Sequence, residues 1–423
     1  MPVHVVQAGE SLWGISRRYG TSIENIVRIN GLESAGLIVP GLALYIPDQG
    51  LPVRYYQVRP GDTLWGLAQR FNTSLQSILT ANPGMDPNRL YVGQRIRIPS
   101  PTKLRMETLG FIIPYSAESF LPILNEIAGN LTYLAIVAYS FTTEGNVVAE
   151  LNDTTIISRS KQLNVIPLLT VRNFTAEGFS AELAGQVLGN ATFRRNLVQS
   201  ITNTVKQKGY GGVSIDFEFV PPPRRNDFNT FLRELKNALG QLILHVNVHA
   251  KTKDIPTNPI IGAYDYRMIG EIADIVAVMT IDYGYPTGPP NPISPADWME
   301  QVIQYSVSLI NPRKLQAAFP LYGYDWTTTD TSQYVTRALT VLAAQNLAIS
   351  TGATIRYNTT FQSPWYLYWR GSEKHTVWFE DIRSYIAKYR LIDLYQLLGV
   401  TYWQLSFPSP QNWAYVERNF TVV

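Results

Sequence analysis

Two carboxylates, Asp216 and Glu218, lie two residues apart in the segment SIDFEF. Polar and apolar residues alternate there with the period of a β-strand, so one face is predicted to carry Ser214, Asp216 and Glu218 and the other Ile215, Phe217 and Phe219. Neighbouring carboxylates oppose each other's ionisation, which raises the pKa of one of them. The pair is therefore suited to acid–base chemistry, which leaves the attacking group to be identified.

The elements that must position this pair follow from residue 104 onward. Eight strand-like runs alternate with helical patterns, and they are LGFIIPY, LTYLAIVAYSF, NVIPLLTV, GVSIDFEF, LILHVNVHA, DIVAVMTIDY, LQAAFPLYGY and GVTYWQLSF. Near-continuous apolar strands interleaved with helices predict an α/β fold, a (β/α)8 TIM barrel over residues 103–423. A small insertion is predicted between strands seven and eight, from about Asp325 to His375, with a helix in YVTRALTVLAAQ and a hairpin in ATIRYNTTFQSPWYLYW.

Reactive groups in such barrels lie at the carboxyl ends of the strands. Glu218 is the last inward polar residue of the fourth predicted strand, and Asp282 ends the sixth. We therefore expect one cleft lined by carboxylates and aromatic rings. The candidate catalytic residues are Glu218, Asp216 and Asp282, and the candidate substrate-binding residues are Trp403, Tyr322, Tyr283, Trp326 and Ser214.

An internal repeat precedes the barrel. The segments beginning at Val6 and Val58 align without a gap, so that Gly9 matches Gly61 and Trp13 matches Trp65, 52 positions apart. Each copy is predicted to fold as strand, helix, helix and strand, with Ser11 or Thr63 capping the first helix. The two modules are placed at residues 1–48 and 53–100.

These segments resemble known families. The repeats are similar to LysM modules, which bind polymers of N-acetylglucosamine such as peptidoglycan and chitin. GGVSIDFE resembles the DGxDxDxE signature of glycoside hydrolase family 18, with Glu218, Asp216 and Gly212 on the final Glu, the Asp before it and the Gly. MTID and GVTYWQLS resemble the strand-six and strand-eight motifs of that family. The whole chain is similar to the spore cortex-lytic enzymes of the SleL/YaaH type.

The resemblance implies a mechanism in which the sugar itself supplies the nucleophile. In family 18, the 2-acetamido carbonyl of the substrate attacks the anomeric carbon, an exception to the usual two-carboxylate scheme. Glu218 would protonate the leaving oxygen, Asp216 would orient the acetamido group, and Trp403 would form the floor under the sugar. The expected activity is that of a retaining β-N-acetylglucosaminidase acting on spore cortex peptidoglycan or its fragments during germination.

The chain departs from the family signature at three positions. Gly211 and Ser214 stand where the family has its first two aspartates, and Ile281 replaces the strand-six tyrosine. We expect Ser214 to donate a hydrogen bond to Asp216. Either Tyr283 or a ring from another strand replaces the lost hydroxyl, or the enzyme is slow. A chitinase, a chitooligosaccharide hydrolase and a catalytically weak glycan-binding lectin are the alternative functions.

Composition argues against several other classes. The chain has no cysteine, and its four histidines show no metal-ligand spacing, so neither a metal nor another cofactor is expected. The net charge of +3 is small and dispersed, which argues against a nucleic-acid partner. No apolar run predicts membrane insertion. The N-terminus lacks the features of a signal peptide, so together with the resemblance we expect synthesis in the mother cell and deposition at the spore coat or cortex.

Overall fold

Two small modules with the predicted order of elements occupy the first hundred residues of the computed structural model, which describes residues 3–48, 50–328 and 334–423. In each module two helices lie between two antiparallel strands. The predicted caps are confirmed, since the side chains of Ser11 and Thr63 accept hydrogen bonds from the backbone N–H groups of Gly14 and Gly66. The modules contain β1 (Val3–Val5), α1 (Leu12–Tyr19), α2 (Ile23–Asn30) and β2 (Ala43–Tyr45), then β3 (Val53–Gln57), α3 (Leu64–Arg70), α4 (Leu75–Ala81) and β4 (Arg95–Pro99).

The barrel region continues with strands and helices in alternation. Its elements up to the insertion are β5 (Leu104–Ile112), α5 (Ala117–Ile127), β6 (Tyr133–Phe141), β7 (Val147–Ala149), α6 (Thr154–Gln162), β8 (Ile166–Arg172), β9 (Phe174–Thr175), β10 (Gly178–Phe179), α7 (Ala181–Gly189), α8 (Ala191–Lys208), β11 (Gly212–Asp216), α9 (Arg225–Leu239), β12 (Ile243–His249), α10 (Tyr266–Ile272), β13 (Ile275–Met279), α11 (Ala296–Val307) and β14 (Leu315–Pro320).

The remaining elements form the insertion and the end of the barrel. They are β15 (Tyr322–Thr328), β16 (Tyr334–Thr340), α12 (Val341–Thr351), β17 (Arg356–Asn358), β18 (Ser363–Arg370), β19 (Glu373–Trp378), α13 (Ile382–Leu394), β20 (Gly399–Trp403), α14 (Pro410–Asn419) and β21 (Phe420–Val422).

Eight parallel strands form a closed barrel, as predicted. Their order around the barrel is β5, β20, β14, β13, β12, β11, β8 and β6, and pairing of β5 with β6 closes it. Outward-facing apolar residues of the strands pack with the surrounding helices into one large buried cluster. The carboxyl ends of all eight strands therefore meet at one face.

The insertion forms a five-stranded antiparallel sheet in the order β16, β15, β19, β18 and β17. The predicted helix YVTRALTVLAAQ is partly wrong, because its first seven residues form β16 and pair with β15. The helix α12 begins at Val341, with the Thr340 side chain as its cap. The predicted hairpin is confirmed as β17 and β18. Predicted strand seven divides after Leu321, so that Tyr322 already belongs to the insertion sheet.

Module 1, residues 3–46, is docked on the rest of the protein. Its buried apolar residues share one cluster with those of the insertion. Gly41 has φ +84°, and a Cβ there would lie 1.7 Å from the carbonyl oxygen of Ile355, so this contact requires glycine. Module 2, residues 53–99, has a separate small core. Among the helices in the described ranges, none has the length and apolar character needed to cross a bilayer.

Candidate active site

Glu218 lies just beyond the end of a barrel strand. The strand β11 ends at Asp216, three residues earlier than the alternation predicted. The buried side chain of Asn173 then holds the backbone of Glu218, because its Oδ1 accepts from the Glu218 N–H and its Nδ2 donates to the Glu218 carbonyl, both at 2.8 Å. Phe219 follows with φ +54° and is 37% exposed. The prediction that Phe219 shares the buried face of Ile215 is therefore wrong, since the backbone turns there.

A cavity of about 840 Å³ opens at the carboxyl ends of the barrel strands. This volume is within the range typical of small-ligand sites. Five residues singled out from the sequence line it together with Ile281, namely Asp216, Glu218, Asp282, Tyr283 and Trp403. The rest of the wall is largely aromatic and aliphatic, and includes Phe111, Phe174, Phe219, Ile260 and Trp298. Three carboxylates thus face an apolar cleft of the kind that stacks against sugar rings.

The surroundings of Glu218 favour its protonated form. Burial raises the pKa of Glu218 well above its ordinary value, and the negative charges of Asp216 and Asp282 raise it further, while Arg172 opposes them. Burial also raises the pKa of Asp216, to about 6, against the opposing charge of Arg172. At neutral pH the pair therefore holds one proton donor, Glu218, beside one carboxylate, Asp216.

Asp282 is held in place by two tyrosines of the insertion. Its backbone is left-handed, with φ +55°. Its Oδ1 accepts hydrogen bonds from the hydroxyls of Tyr322 at 2.6 Å and Tyr324 at 3.1 Å. Burial raises the pKa of Asp282, and these two hydroxyls lower it. Tyr322, a candidate substrate-binding residue, is only 5% exposed, so in this structure it contacts Asp282 and does not line the cavity.

Two further sequence candidates lie away from the cavity. Ser214 is fully buried. The prediction that it donates a hydrogen bond to Asp216 is wrong. Its Oγ instead lies 2.9 Å from Nδ1 of His245, its register partner on β12, and 3.2 Å from Nδ2 of Asn247. Trp326 is also fully buried, and its Nε1–H donates to the carbonyl of Gly288. In this structure neither residue lines the cavity, and both are hydrogen-bonded inside the protein, which contradicts the expectation that they contact the substrate.

Trp403 and Tyr283 do line the cavity. Trp403 is the last residue of β20, and its peptide bond to Gln404 is cis. The Tyr283 ring lies 5.3 Å from the ring of Trp298 and is 41% exposed, at the rim. Ile281 presents an apolar side chain to the same cavity. This part of the wall therefore lacks the hydroxyl that a tyrosine at position 281 would supply.

Two polar neighbours of the carboxylates, Arg172 and His249, line the cavity but were not among the candidates from the sequence. Arg172 ends β8, where it is the register partner of Asp216, and its Nη2 donates to Glu150 at 2.8 Å. His249 ends β12, and its Nε2 lies 3.6 Å from Oε2 of Glu218. The sequence feature that could have identified them is that each is a polar residue at the carboxyl end of a predicted strand. From the sequence, the four histidines were considered only as metal ligands.

The fold and the cleft together define a barrel glycosidase, with a buried carboxyl group of raised pKa and a tryptophan at the strand ends. The profile of the glycosyl hydrolases family 18 matches residues 112–407, and that of the LysM domain matches residues 4–47 and 56–99. The chain therefore belongs to glycosyl hydrolases family 18 and carries two LysM modules before its catalytic barrel.

Several proteins are similar to this chain over almost their whole length. A Bacillus subtilis (strain 168) protein, YdhD, described as a sporulation-specific glycosylase, is 36% identical over 100% of this chain and 99% of its own length. The cortical fragment-lytic enzyme of Bacillus anthracis is 33% identical over 99% of this chain and 98% of its own. The crystal structure of the Bacillus cereus spore cortex-lytic enzyme SleL superposes with a TM-score of 0.87, at 32% identity, over 100% of this chain and 98% of that one.

Proposed function

We propose that this glycosidase is a β-N-acetylglucosaminidase that hydrolyses spore cortex peptidoglycan, or fragments of it, during germination. The observation that carries the proposal is the pairing of Glu218 and Asp216 in one apolar cavity, where burial and neighbouring charge keep Glu218 protonated. A lone proton donor beside an ionised carboxylate suits a reaction in which the substrate supplies the nucleophile.

The first chemical step breaks the glycosidic bond. The carbonyl oxygen of the 2-acetamido group attacks the anomeric carbon while Glu218 gives its proton to the departing oxygen. Ionised Asp216 accepts a hydrogen bond from the acetamido N–H, which orients the carbonyl and offsets the positive charge of the oxazolinium intermediate. Trp403 lies under the sugar ring.

The second step regenerates the enzyme. Water attacks the anomeric carbon on the face opposite the bond to the acetamido oxygen, and that bond breaks as the oxazolinium ring opens. The proton that the water loses returns to Glu218. Two displacements at one carbon retain the anomeric configuration. A muramic acid residue that has been converted to a lactam has no free acetamido group, so cleavage occurs after N-acetylglucosamine.

The expected substrate and location rest on the relatives and the modules. Proteins similar over their whole length are named for sporulation and for lysis of cortical fragments. LysM modules bind glycans that contain N-acetylglucosamine, and attachment raises the local concentration of glycan near the cleft. We therefore place the protein at the spore coat or cortex, with peptidoglycan as its partner.

A digestion experiment tests this proposal. Purified spore cortex, soluble cortical fragments and chitin oligomers are incubated with the wild type, with Glu218→Gln and with Glu126→Gln, a matched change at an exposed glutamate of α5. Mass spectrometry then identifies the new reducing ends. We expect N-acetylglucosamine reducing ends from cortex material with the wild type and Glu126→Gln, and none with Glu218→Gln.

Each other outcome contradicts a defined part of the proposal. Activity that survives in Glu218→Gln would exclude Glu218 as the acid. Cleavage of chitin oligomers alone would indicate a chitinase, and glycan binding without cleavage would indicate a lectin. Proton NMR of the first product formed tests retention, because a retaining enzyme releases the β-anomer before mutarotation.

A further inference from the structure

His249 is a polar neighbour of the Glu218 carboxyl group that the mechanism above does not use. Among the residues that the structure describes, none donates a hydrogen bond to the Glu218 carboxyl oxygens. Nε2 of His249 lies 3.6 Å from Oε2, too far for a hydrogen bond. That nitrogen is itself buried and has no hydrogen-bond partner within the described chain. Buried polar atoms are nearly always paired, so an unpaired one beside the catalytic acid calls for an explanation.

The imidazole of His249 is held firmly in this position. Its ring lies between the rings of Phe219 and Tyr264, at centroid distances of 5.3 and 5.4 Å. The hydroxyl of Tyr266 donates to the backbone carbonyl of His249. Burial lowers the pKa of His249 to about 4, so the ring is neutral at neutral pH and carries one N–H donor.

The need for a donor arises during the reaction. Once Glu218 gives its proton to the glycosidic oxygen, a carboxylate forms in a cavity that already holds Asp216 and Asp282. The other charged or titratable groups facing it are Arg172 on β8 and the hydroxyl of Tyr264, and the Tyr264 hydroxyl already donates to the carbonyl of Phe217. An approach of less than 1 Å would bring His249 Nε2 within hydrogen-bonding distance of the new charge.

We propose that His249 is a positioning residue for Glu218, and that its Nε2–H donates a hydrogen bond to the carboxylate present between proton donation to the leaving group and proton recovery from water. No proton leaves the imidazole in either step. The hydrogen bond also fixes Oε2, which leaves Oε1 to exchange the proton with the glycosidic oxygen and then with water. This assignment deepens the proposed function, since it rests on Glu218 being the acid.

Two substitutions separate this role from simple packing. His249→Phe keeps a flat ring between Phe219 and Tyr264 but removes the donor, whereas His249→Gln retains an amide N–H near the position of Nε2. We expect kcat to fall about 10- to 100-fold in His249→Phe, the order expected for loss of a hydrogen bond to a charged group, with KM little changed. His249→Gln should recover most of kcat. Thermal unfolding measurements serve as the control that both variants are folded.

The pH dependence supplies a readout that a packing role would not change. A hydrogen bond to the carboxylate lowers the pKa of Glu218, so its removal raises that pKa. The basic limb of the kcat profile should therefore move to higher pH in His249→Phe and return in His249→Gln. Unchanged kcat and pH limb in His249→Phe, or equal losses in both variants without a shift, would overturn the proposal.

A measurement independent of turnover keeps this inference distinct from the proposed function. Carboxyl carbon-13 NMR of protein labelled at the glutamate δ-carbon gives the pKa of Glu218 directly, with the Glu218→Gln spectrum as the assignment. We expect that pKa to rise by about one unit or more in His249→Phe. No rise would reject His249 as a donor, even if the enzyme acts on cortex. A rise would support it, even if cortex is not the substrate.

Discussion

Asp216 and Glu218 share one cavity but are biased toward opposite protonation states. Burial raises the pKa of Asp216 to about 6, whereas Glu218 also experiences the charges of Asp216 and Asp282 and its pKa lies higher still. Between those two values the pair carries one negative charge and one proton, which is the state the reaction needs. Because the two groups interact, the two apparent pKa values describe the pair and not either residue alone.

The pH profile of the wild type follows from this order. We expect kcat/KM for a soluble fragment to rise with pH through about 6 as Asp216 ionises, and to fall at higher pH as Glu218 loses its proton. Asp216→Asn should abolish the acidic limb. It should also move the basic limb to lower pH, because the negative charge that raises the pKa of Glu218 is gone. An acidic limb that persists in Asp216→Asn would contradict this assignment.

That Asp216 and Glu218 would meet at one cavity could be predicted from the sequence, but their immediate neighbours could not. The alternation around Asp216 shows which residues share a face of one strand. It does not show that His245 on the next strand takes the hydrogen bond of Ser214, nor that the backbone becomes left-handed at Phe219. Those features depend on register between strands and on a turn that Asn173 holds from another strand end.

The insertion contributes to the active site through one strand. Strand β15 begins immediately after barrel strand β14, and its first residues bring the hydroxyls of Tyr322 and Tyr324 to Asp282. The sequence predicted these tyrosines as the end of barrel strand seven, because LQAAFPLYGY is one continuous apolar run. The division at Leu321 depends on pairing with β16 and β19, which lie later in the chain and are not apparent from the run itself.

Loss of these hydroxyls should impair catalysis. Tyr322→Phe removes the shorter hydrogen bond to Asp282, so we expect the pKa of Asp282 to rise and kcat/KM to fall about tenfold. Tyr324→Phe should have a smaller effect, because its bond is longer.

A matched control is available on the same sheet. The Tyr368 hydroxyl donates to Asp325, a buried carboxylate that does not line the cavity. Tyr368→Phe should lower the thermal unfolding midpoint and leave kcat/KM unchanged. Equal losses of kcat/KM in Tyr368→Phe and Tyr322→Phe would show that the tyrosines act only through stability.

At the scale of the whole molecule, the two LysM modules are attached differently. Module 1 is joined by buried groups, since Nε2 of Gln411 donates to Asn30 Oδ1 and to the Ala43 carbonyl, both at 2.8 Å. Module 2 is joined by ion pairs, one between Arg54 and Asp393 and another between Arg95 and Glu300. The repeat in the sequence predicted two equivalent modules and gave no sign of this difference, because the contacting residues lie more than 200 positions away.

Unfolding measurements should distinguish the two junctions. Gln411→Ala leaves the buried Ala43 carbonyl and Ile382 N–H without a partner, so we expect a loss of about 1–3 kcal/mol in the free energy of unfolding. Glu300→Gln weakens a partly exposed ion pair and should cost less than about 1 kcal/mol. The reverse order of the two losses would contradict the buried junction between module 1 and α14.

The close approach of Gly41 to Ile355 also bears on how far the enzyme can reach. A module on a flexible tether samples many separations from its catalytic domain, and its benefit depends on linker length. Module 1 has no such freedom, since its core is continuous with that of the insertion that holds Asp282. A glycan chain bound by module 1 would therefore reach Glu218 across one fixed distance. The lengths of the released fragments should then reflect the distance between the module and the cleft.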